Sequence, residues 1–430
     1  MTLKTLLMGA VAFTALAPAA FAAAHEGERG RDGEVKIIYW QAPSIMTPYL
    51  SGGTKDLEAA SLVIEPLGRY DENGALVPYL ATEIPTVENG GVSEDLKSIT
   101  WKLKEGLLWS DGTPVTTADV KFTAEYCMHP EGGCAQGSKY DGVESIDIID
   151  ELSLTVNFTE AKPNPYGPFM GAQAPIIQAA QFAECLGAKA PECTEANFNP
   201  IGTGPFMVTD FRPNDVIQMV ANPNYRDPNK PAFASLTFKG GGDAAAAGRA
   251  VMETGEYDYA WNMQLAPDVL AKMAEGGKGT PISAFGTLVE RLEMNLTNPS
   301  ADLPEGERST VMHPHPFLSD FNVRKALSMA IDRPLLVEVG YGQAGRPTCN
   351  LVPAPALYAS DNTECLTQDL EGAKALLEEA GYTDSDGDGV REKDGVKLSV
   401  LYQTSTNAVR QDFQALIKDW WNQIGVEVEL

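Results

Sequence analysis

The stretch from Leu108 to Val120, LWSDGTPVTTADV, is the sequence feature that most limits how this chain folds. Asp111-Gly112 favours a tight turn, and Pro114 stiffens the chain that leaves it. Thr116-Thr117 offers two suitable N-caps for a helix that runs through Phe122. The stretch therefore predicts a strand end, a turn and a helix start in immediate succession.

The first residues have the composition of an export signal. Lys4 supplies a positive charge, Leu6–Phe21 is apolar, and Ala20-Phe21-Ala22 places small residues around a cleavage site. A membrane anchor is the alternative, but the apolar run is too short to span a bilayer and lacks a stop-transfer flank. We therefore predict a cleaved signal peptide over residues 1–22. Because no Cys lies at the cleavage site, a periplasmic protein without a lipid anchor is expected.

The chain is strongly acidic, with a formal net charge of −27 at pH 7. Such a charge argues against nucleic acid or an anionic membrane surface as a partner, because both would be repelled. It is equally typical of a protein kept soluble in the periplasm or in a salty habitat. The charge therefore excludes partners but does not identify a ligand.

The six cysteines of the chain fall close together in pairs. An even count in an exported protein predicts disulfides, and loop closure favours pairing between near neighbours. A zinc site is the alternative, but CxxC is absent and histidine is scarce. The predicted disulfides, which we expect to fasten surface loops, are Cys127 with Cys134, Cys185 with Cys193, and Cys349 with Cys365.

Hydrophobic periodicity predicts a mixed α/β chain. Period-two patterns predict strands over 35–40, 99–104, 236–239, 257–260, 286–296, 397–402 and 426–430, and hairpins over 145–158 and 204–222. Helical patterns cover 55–66, 244–254, 267–274, 323–331, 334–339, 370–380 and 408–424. The βαβα run from 236 to 274 predicts a sheet with helices on its faces. The segment 301–316 has no period and is expected to be a surface loop.

Residues 108–120 resemble the signature of the bacterial extracellular solute-binding proteins of family 5, which serve oligopeptide, dipeptide and nickel ABC importers. Other segments resemble the same family and together cover nearly the whole mature chain. They are 199–206 (NPIGTGPF), 222–225 (NPNY), 321–333 (FNVRKALSMAIDR), 373–382 and 424–426.

The resemblance implies a two-lobed α/β clamshell of the type II periplasmic-binding-protein kind, with an extra domain inserted in the first lobe. Carried onto this chain, lobe one covers 33–75 and 200–288, the inserted domain covers 76–199, and lobe two covers 289–430. A ligand is expected to bind between the lobes, and the closed monomer to dock on an ABC permease in the inner membrane.

The resemblance also implies that relatives continue past the position of Leu430. Lobe two is therefore expected to be incomplete. In peptide-binding relatives the acidic residue that fixes the ligand's amino group lies in the continuation, so that no residue of this chain inherits the role.

Several residues are candidates for ligand contact. Ser51-Gly52-Gly53-Thr54 offers free amides and hydroxyls before a helix, although an ordinary capped loop has the same composition. Trp261 with Asn262 ends a strand where a cleft wall is expected, and a core Trp is the alternative. Glu290 and Arg291 lie at the presumed hinge, where they pair with a ligand, with each other or with solvent. Further candidates, placed by the resemblance or by position alone, are Gln173, Tyr341, Gly342, Gln343, Tyr402 and Gln403.

Asp384, Asp386 and Asp388 resemble the beginning of a calcium loop, with Gly389 at the sixth position. The twelfth position is Gly395 instead of the bidentate Glu that closes such loops. A solvated Asp- and Gly-rich turn is the favoured alternative, and any calcium would be structural. No cofactor is expected.

Catalysis is not indicated by any motif of the chain. GxSxG, HExxH and phosphate-binding glycine motifs are absent, and the histidines do not lie in the segments placed at the cleft. The prediction is a peptide-binding component of an ABC importer. The runner-up is an oligosaccharide, glycoside or opine binder; a nickel or haem binder and a sensory or chaperone module are less favoured.

Overall fold

The structure, a computed structural model, describes residues 27–356 and 358–430, so the predicted signal peptide lies outside the described residues. The strands are β1 (Glu34–Tyr39), β2 (Gly68–Tyr70), β3 (Leu76–Pro78), β4 (Ser98–Lys102), β5 (Val143–Ile148), β6 (Ser153–Phe158), β7 (Phe206–Arg212), β8 (Val216–Ala221), β9 (Ser235–Gly240), β10 (Tyr259–Trp261), β11 (Glu392–Lys393), β12 (Val396–Lys397), β13 (Ser399–Leu401) and β14 (Glu427–Glu429). The α-helices are α1 (Thr54–Ala60), α2 (Thr117–Met128), α3 (Ala179–Phe182), α4 (Thr194–Phe198), α5 (Ala244–Met252), α6 (Pro267–Ala274), α7 (Phe321–Met329), α8 (Arg333–Gly340), α9 (Leu370–Glu379) and α10 (Ala408–Gln423).

The first lobe is built on a five-stranded sheet with the strand order β10-β1-β9-β8-β7. β1 runs parallel to both β9 and β10, whereas β7 and β8 form an antiparallel hairpin against β9. The predicted βαβα run is confirmed, because α5 connects β9 to β10 and α6 follows. β1 lies between β9 and β10, so their carboxyl ends meet at one edge of the sheet.

The middle segment, between β2 and α4, has its own core. β4, β6 and β5 form an antiparallel sheet, and α2 packs beside it. Trp101 and Trp109 are almost completely buried in this core, together with Phe169 and Phe182. The hairpin predicted over 145–158 is confirmed as β5 and β6.

The second lobe packs four helices around another core. Val323 on α7, Leu377 on α9 and Ile417 on α10 are buried together, and the short parallel pair β13 and β14 covers one side. The helices predicted in this part of the chain are confirmed to within a few residues at either end.

The signature stretch folds as its residues predict. Leu108 pairs with Pro114 across the turn, and Gly112 has a φ of +86°, a conformation that glycine adopts without strain. Thr116 is the N-cap of α2 and forms a capping box with Asp119. Asp119 also accepts hydrogen bonds from the Trp109 indole and the amide of Ala179. One carboxylate therefore joins the turn, the helix and a distant loop.

The helix predicted over 55–66 is wrong in its second half, because α1 ends at Ala60. The carbonyls of Leu62 and Val63 accept hydrogen bonds from the amides of Phe206 and Gly204, where the chain returns from the middle segment. Those carbonyls are therefore not free to continue a helix. A Cβ on Gly202 would lie 1.8 Å from the Val63 oxygen, which explains why the first of the two glycines in NPIGTGPF is required.

The strand predicted over 286–296 is also wrong. Leu292 and Met294 pack on the core of the second lobe, so the alternation is real, but Leu288 is 86% exposed. No strand pairs with this segment among the described residues. Periodicity indicates which side chains face the core, but not whether a partner strand is present. The strand predicted over 397–402 is interrupted at Leu398, which separates β12 from β13.

All three predicted disulfides are present: Cys127–Cys134, Cys185–Cys193 and Cys349–Cys365. The domain boundaries at 75, 199 and 288 remain a prediction. The buried residues of the three cores largely follow these boundaries. Tyr49 and Leu67 are exceptions, because they come from the segment 33–75 predicted for lobe one but pack in the core of the middle segment. The loop over 301–316 contains turns and one isolated bridge.

Candidate functional site

The carboxyl ends of β1 and β10 carry a band of aromatic side chains. Trp261 stacks on Tyr39 with ring centroids 4.7 Å apart and an interplanar angle of 11°. The Trp40 indole donates a hydrogen bond of 2.8 Å to the carbonyl of Asn262, whose φ is +52°. Ligands of α/β proteins bind outside the carboxyl ends of parallel strands. The structure thus places Trp261 and Asn262 at the edge where a ligand is expected.

The loop Ser51–Thr54 leads into α1, and Glu58 on α1 accepts a hydrogen bond of 2.5 Å from the Tyr39 hydroxyl of the aromatic band. Ser51 Oγ donates to Asp56 at 2.7 Å and accepts from the Gly53 amide. The sequence led us to expect a free hydroxyl and a free amide here, but both are already hydrogen-bonded. Asp56 is 2% exposed and also accepts from the Ser44 amide. Gly52 and Thr54 remain exposed. The loop therefore presents fewer free donors than its composition indicates.

A polar cluster in the second lobe contains Glu290, Tyr341 and Arg410. The Arg410 guanidinium binds both oxygens of Glu290, at 3.0 and 3.1 Å, and the Tyr341 hydroxyl donates to the same carboxylate at 2.9 Å. Glu290 and Arg291 do not pair with each other, because Arg291 pairs with Glu293 instead. Contact of either residue with a ligand remains a prediction.

Tyr341 of this cluster and Tyr402, which lies near Glu290, both have raised pKa values. Burial, and then the negative charge of Glu290, raise the pKa of Tyr341 well above its usual range. Burial and Glu290 likewise raise the pKa of Tyr402 to about 12. Both hydroxyls therefore remain hydrogen-bond donors at physiological pH.

The two lobes touch at a few polar residues. Asn407, the N-cap of α10, donates from its amide to the Gln264 side chain at 3.1 Å. Gly342 lies against Pro267 at the start of α6, where a Cβ would approach the proline ring to 2.8 Å. These contacts bring the aromatic band of the first lobe next to the polar cluster of the second.

Sequence reasoning did not identify three residues at this junction: Gln264, Asn407 and Arg410. Asn407 carried a local signal, since Asn before a helical pattern is a good N-cap. Gln264 and Arg410 had none, because their importance comes from partners more than one hundred residues away in the chain.

The remaining candidates are less closely connected. Gln343 and Gln403 are exposed beside Tyr341 and Tyr402. Gln173 is exposed in a turn of the middle segment next to β2, and no hydrogen bond among the described residues joins it to the junction. The structure therefore brings Trp261 and Asn262 near Glu290, Tyr341 and Gly342. No hydrogen bond among the described residues joins Gln173 or the loop Ser51–Thr54 to the second lobe.

The three aspartates of the calcium-like loop lie close together, with ligand atoms within 4.8 Å of one another. Lys397 binds Asp386 at 3.0 Å and also binds Asp388, while backbone amides of the loop donate to Asp384. The ammonium group of Lys397 thus supplies a positive charge next to Asp386 and Asp388.

The described residues include no helix with the length and hydropathy of a membrane span. Two lobes that meet across an edge of aromatic and polar side chains have the architecture of a periplasmic solute-binding protein. The family described as bacterial extracellular solute-binding proteins, family 5 middle, matches residues 75–430, and the chain belongs to this family.

Curated relatives include protein XP55 of Streptomyces lividans, which is 29% identical over 427 residues, or 98% of this chain and 71% of that protein. The glutathione-binding protein GsiB of Escherichia coli is 26% identical over 350 residues, or 81% of this chain and 62% of GsiB. The chain thus spans less than two thirds of GsiB.

Solved structures agree on the fold. The oligopeptide-binding protein AppA of Bacillus subtilis, in complex with a nonapeptide, has a TM-score of 0.72 at 22% identity and covers 94% of this chain and 75% of its own. Lactococcal OppA, closed on an endogenous peptide, has a TM-score of 0.75 at 23% identity, covering 93% and 76%. AgaA of A. tumefaciens R10, in complex with agropinic acid, has a TM-score of 0.69 at 21% identity, covering 93% and 72%.

Proposed function

We propose that this chain is the periplasmic substrate-binding component of an ABC importer and captures peptides between its two lobes. The junction of Trp261 and Asn262 with the Glu290–Arg410 cluster carries the proposal. The two parts approach each other at the carboxyl edge of the first sheet, where closure would enclose a ligand. A membrane permease then receives the ligand, and the ATPase of the importer supplies the energy.

The chemistry of the junction suits peptides. Gln264 and Asn407 present amide groups that both donate and accept hydrogen bonds, as peptide backbones do. The aromatic band offers a broad apolar face for side chains. Water-filled side-chain pockets, which we expect between the closed lobes, would tolerate different sequences. AppA with its nonapeptide and OppA with its endogenous peptide have the same fold. Glutathione, the ligand in the name of GsiB, is itself a short peptide and is the first compound to test.

An opine or saccharide is the second candidate. Trp261 has one face on Tyr39 and is half-buried, and an exposed indole face is a typical platform for a sugar ring. AgaA binds agropinic acid on this fold. A ligand of this class would use the aromatic band more than the amides of the junction.

Nickel and haem are less favoured as ligands. His313 pairs with Glu307 at 2.7 Å, and His315 Nδ1 accepts hydrogen bonds from the amides of Phe317 and Leu318. Both histidines are thus engaged within their own loop, and no hydrogen bond among the described residues joins them to the junction. We also propose that the chain binds without catalysis, since the junction pairs its carboxylate with an arginine and contains no activated nucleophile.

Native mass spectrometry of the protein exported through its own leader tests the function. A released ligand with the mass of a short peptide supports the proposal, and an opine or saccharide mass supports the second candidate. Titration calorimetry with glutathione and peptide mixtures then compares Trp261→Ala with Phe321→Ala. Trp261→Ala should weaken binding by about tenfold, because it removes an aromatic contact worth roughly 1.5 kcal/mol.

Phe321→Ala is the matched control, because Phe321 is 65% exposed on α7 and does not contact the junction. It should bind like the unchanged protein. No copurified ligand and no heat with any peptide, opine or saccharide would contradict the proposal, as would equal binding by both variants.

A further inference from the structure

The segment that enters the second lobe carries an acceptor sequence for N-linked glycans. Glu293-Met294-Asn295-Leu296-Thr297 contains Asn-x-Thr without proline, the pattern that oligosaccharyltransferases modify on exported proteins. Bacterial enzymes of this class also require Asp or Glu two residues before the asparagine, and Glu293 meets that requirement. We propose that Asn295 is a site of N-glycosylation by a bacterial oligosaccharyltransferase.

The backbone around Asn295 suits an acceptor peptide. Residues 279–296 form neither helix nor ladder, and Asn295 and Leu296 are both exposed. An acceptor must leave regular structure to enter the active site of the transferase. Asn295 itself lies outside regular structure. The isolated bridge between Thr297 and Pro314 and its two hydrogen bonds, from the His315 amide to Leu296 and from the Asn298 amide to His313, have to open for the sequence to enter the transferase.

The side chain of Asn295 is already oriented toward Thr297. Its Oδ1 accepts hydrogen bonds from the Thr297 amide at 3.0 Å and from the Thr297 hydroxyl at 2.5 Å. Its Nδ2 makes no hydrogen bond to any described residue. Glu293 pairs with Arg291 only at the surface, an interaction worth little that a transferase can displace. The nucleophilic nitrogen and the acidic residue are therefore both accessible.

A second sequon in the chain provides an internal contrast. Asn157-Phe158-Thr159 lies in and after β6, and Phe158 is 3% exposed. Asn157 Nδ2 donates to Ser145 at 2.9 Å and to Asp147 at 2.7 Å. Thr155, not an acid, stands two residues before it. The structure thus favours modification of Asn295 over Asn157.

The reaction forms a bond between Asn295 Nδ2 and the anomeric carbon of a lipid-pyrophosphate-linked oligosaccharide. The bond between that carbon and the pyrophosphate oxygen breaks, the lipid pyrophosphate leaves, and the amide nitrogen loses one proton. In the cell the reaction needs the transferase, its lipid-linked oligosaccharide and the export that the proposed function assumes. It does not need a bound ligand.

The test incubates the folded full chain with a bacterial oligosaccharyltransferase and its lipid-linked oligosaccharide, followed by intact mass measurement. One glycan should be added to the unchanged protein and to Asn157→Gln. The adduct should be lost in Asn295→Gln, in Thr297→Ala and in Glu293→Gln. Asn295 is exposed, so its substitution should not affect folding, and circular dichroism checks this.

A C-terminal acceptor tag on the same protein serves as the positive control for the enzyme. Modification of the tag without modification of Asn295 would overturn the inference, as would a glycan that persists in Asn295→Gln. Because no ligand is present in this assay, failure here leaves the proposed transport function unaffected, and failure of ligand binding leaves the acceptor site unaffected.

Discussion

At the residue scale, Glu65 shows what a single buried charge requires. It is 1% exposed, pairs with Arg226 and accepts a hydrogen bond of 3.0 Å from Thr203. Its second carboxylate oxygen is buried and has no hydrogen-bond partner among the described residues. Arg226 in turn lies over the ring of Tyr79. Burial raises the pKa of Glu65, and the Arg226 ion pair offsets part of that effect. The carboxylate therefore depends on Arg226 to remain ionised.

Replacement of Arg226 by Met should destabilise the protein by about 3–5 kcal/mol at pH 8, because an uncompensated charge remains buried. The pKa of Glu65 is raised in the folded state, so its protonated form stabilises the fold below the unfolded pKa and that stability is lost as the pH rises. The deficit of Arg226→Met should consequently shrink as the pH falls from 8 toward 5. Urea denaturation across this pH range measures it.

Arg212→Met is the matched control, because Arg212 pairs with Asp210 at the surface and is 60% exposed. It should leave the urea midpoint unchanged at every pH. A deficit for Arg226→Met that is small, or that does not vary with pH, would mean that Glu65 is not ionised in the folded protein.

At the scale of elements, the signature stretch is a joint between parts of the fold. The Ser110 amide donates to the carbonyl of Gly202, and the Asn224 side chain donates to the carbonyl of Ser110. Three segments that resemble the family at the sequence level, the signature, NPIGTGPF and NPNY, therefore meet at one point. The resemblance of these three segments to the family therefore has a physical basis in these contacts.

Asp119→Ala should be more destabilising than Thr116→Ala. Thr116→Ala removes only an N-cap, which costs about 1 kcal/mol. Asp119→Ala also removes the acceptor for the Trp109 indole and for the amide of Ala179, and each buried donor left unpaired costs about 1–3 kcal/mol. Thermal unfolding of the two variants compares them, and equal shifts in Tm would contradict the role assigned to Asp119.

Local elements were predicted well from the sequence where their signals are local. α6 begins and ends at the predicted residues, and the hairpin predicted over 204–222 is present as β7 and β8. The helix predicted to Pro66 and the strand predicted over 286–296 failed for one reason. In both, the decisive factor is whether a distant segment supplies or consumes backbone hydrogen bonds, and periodicity does not contain that information.

The candidate site was predicted only in part, for the same reason. Trp261, Glu290 and Tyr341 were identified from strand ends and family resemblance. Arg410 and Gln264 became apparent only in the folded chain, where each meets a partner from another element. Ser51 remains a predicted ligand contact, and its hydroxyl is already hydrogen-bonded to Asp56, which the sequence did not reveal.

At the scale of the whole molecule, buried tyrosines should set the alkaline limit of stability. Burial raises the pKa of Tyr126, Tyr225 and Tyr402 to about 12 each. It raises the pKa of Tyr49 and Tyr140 as well. Because these values exceed the unfolded value near 10, the stability they contribute is complete below pH 10 and is lost as the pH rises toward 12.

Absorbance at 295 nm should therefore show incomplete ionisation of the 14 tyrosines up to about pH 11. The remainder should ionise together with the loss of the circular dichroism signal. In guanidinium chloride all tyrosines should titrate near pH 10. Complete titration near pH 10 in the folded protein would contradict the burial of these hydroxyls.

The hydrogen bonds from the amides of Gly204 and Phe206 to the carbonyls of Val63 and Leu62 have a consequence for the order of folding. Each joins residues that lie more than one hundred positions apart in the chain, and closing so long a flexible loop costs conformational entropy. Earlier collapse of the middle segment shortens the loop that remains to be closed. We therefore expect the core around Trp101 to form before the edge of the first sheet is complete.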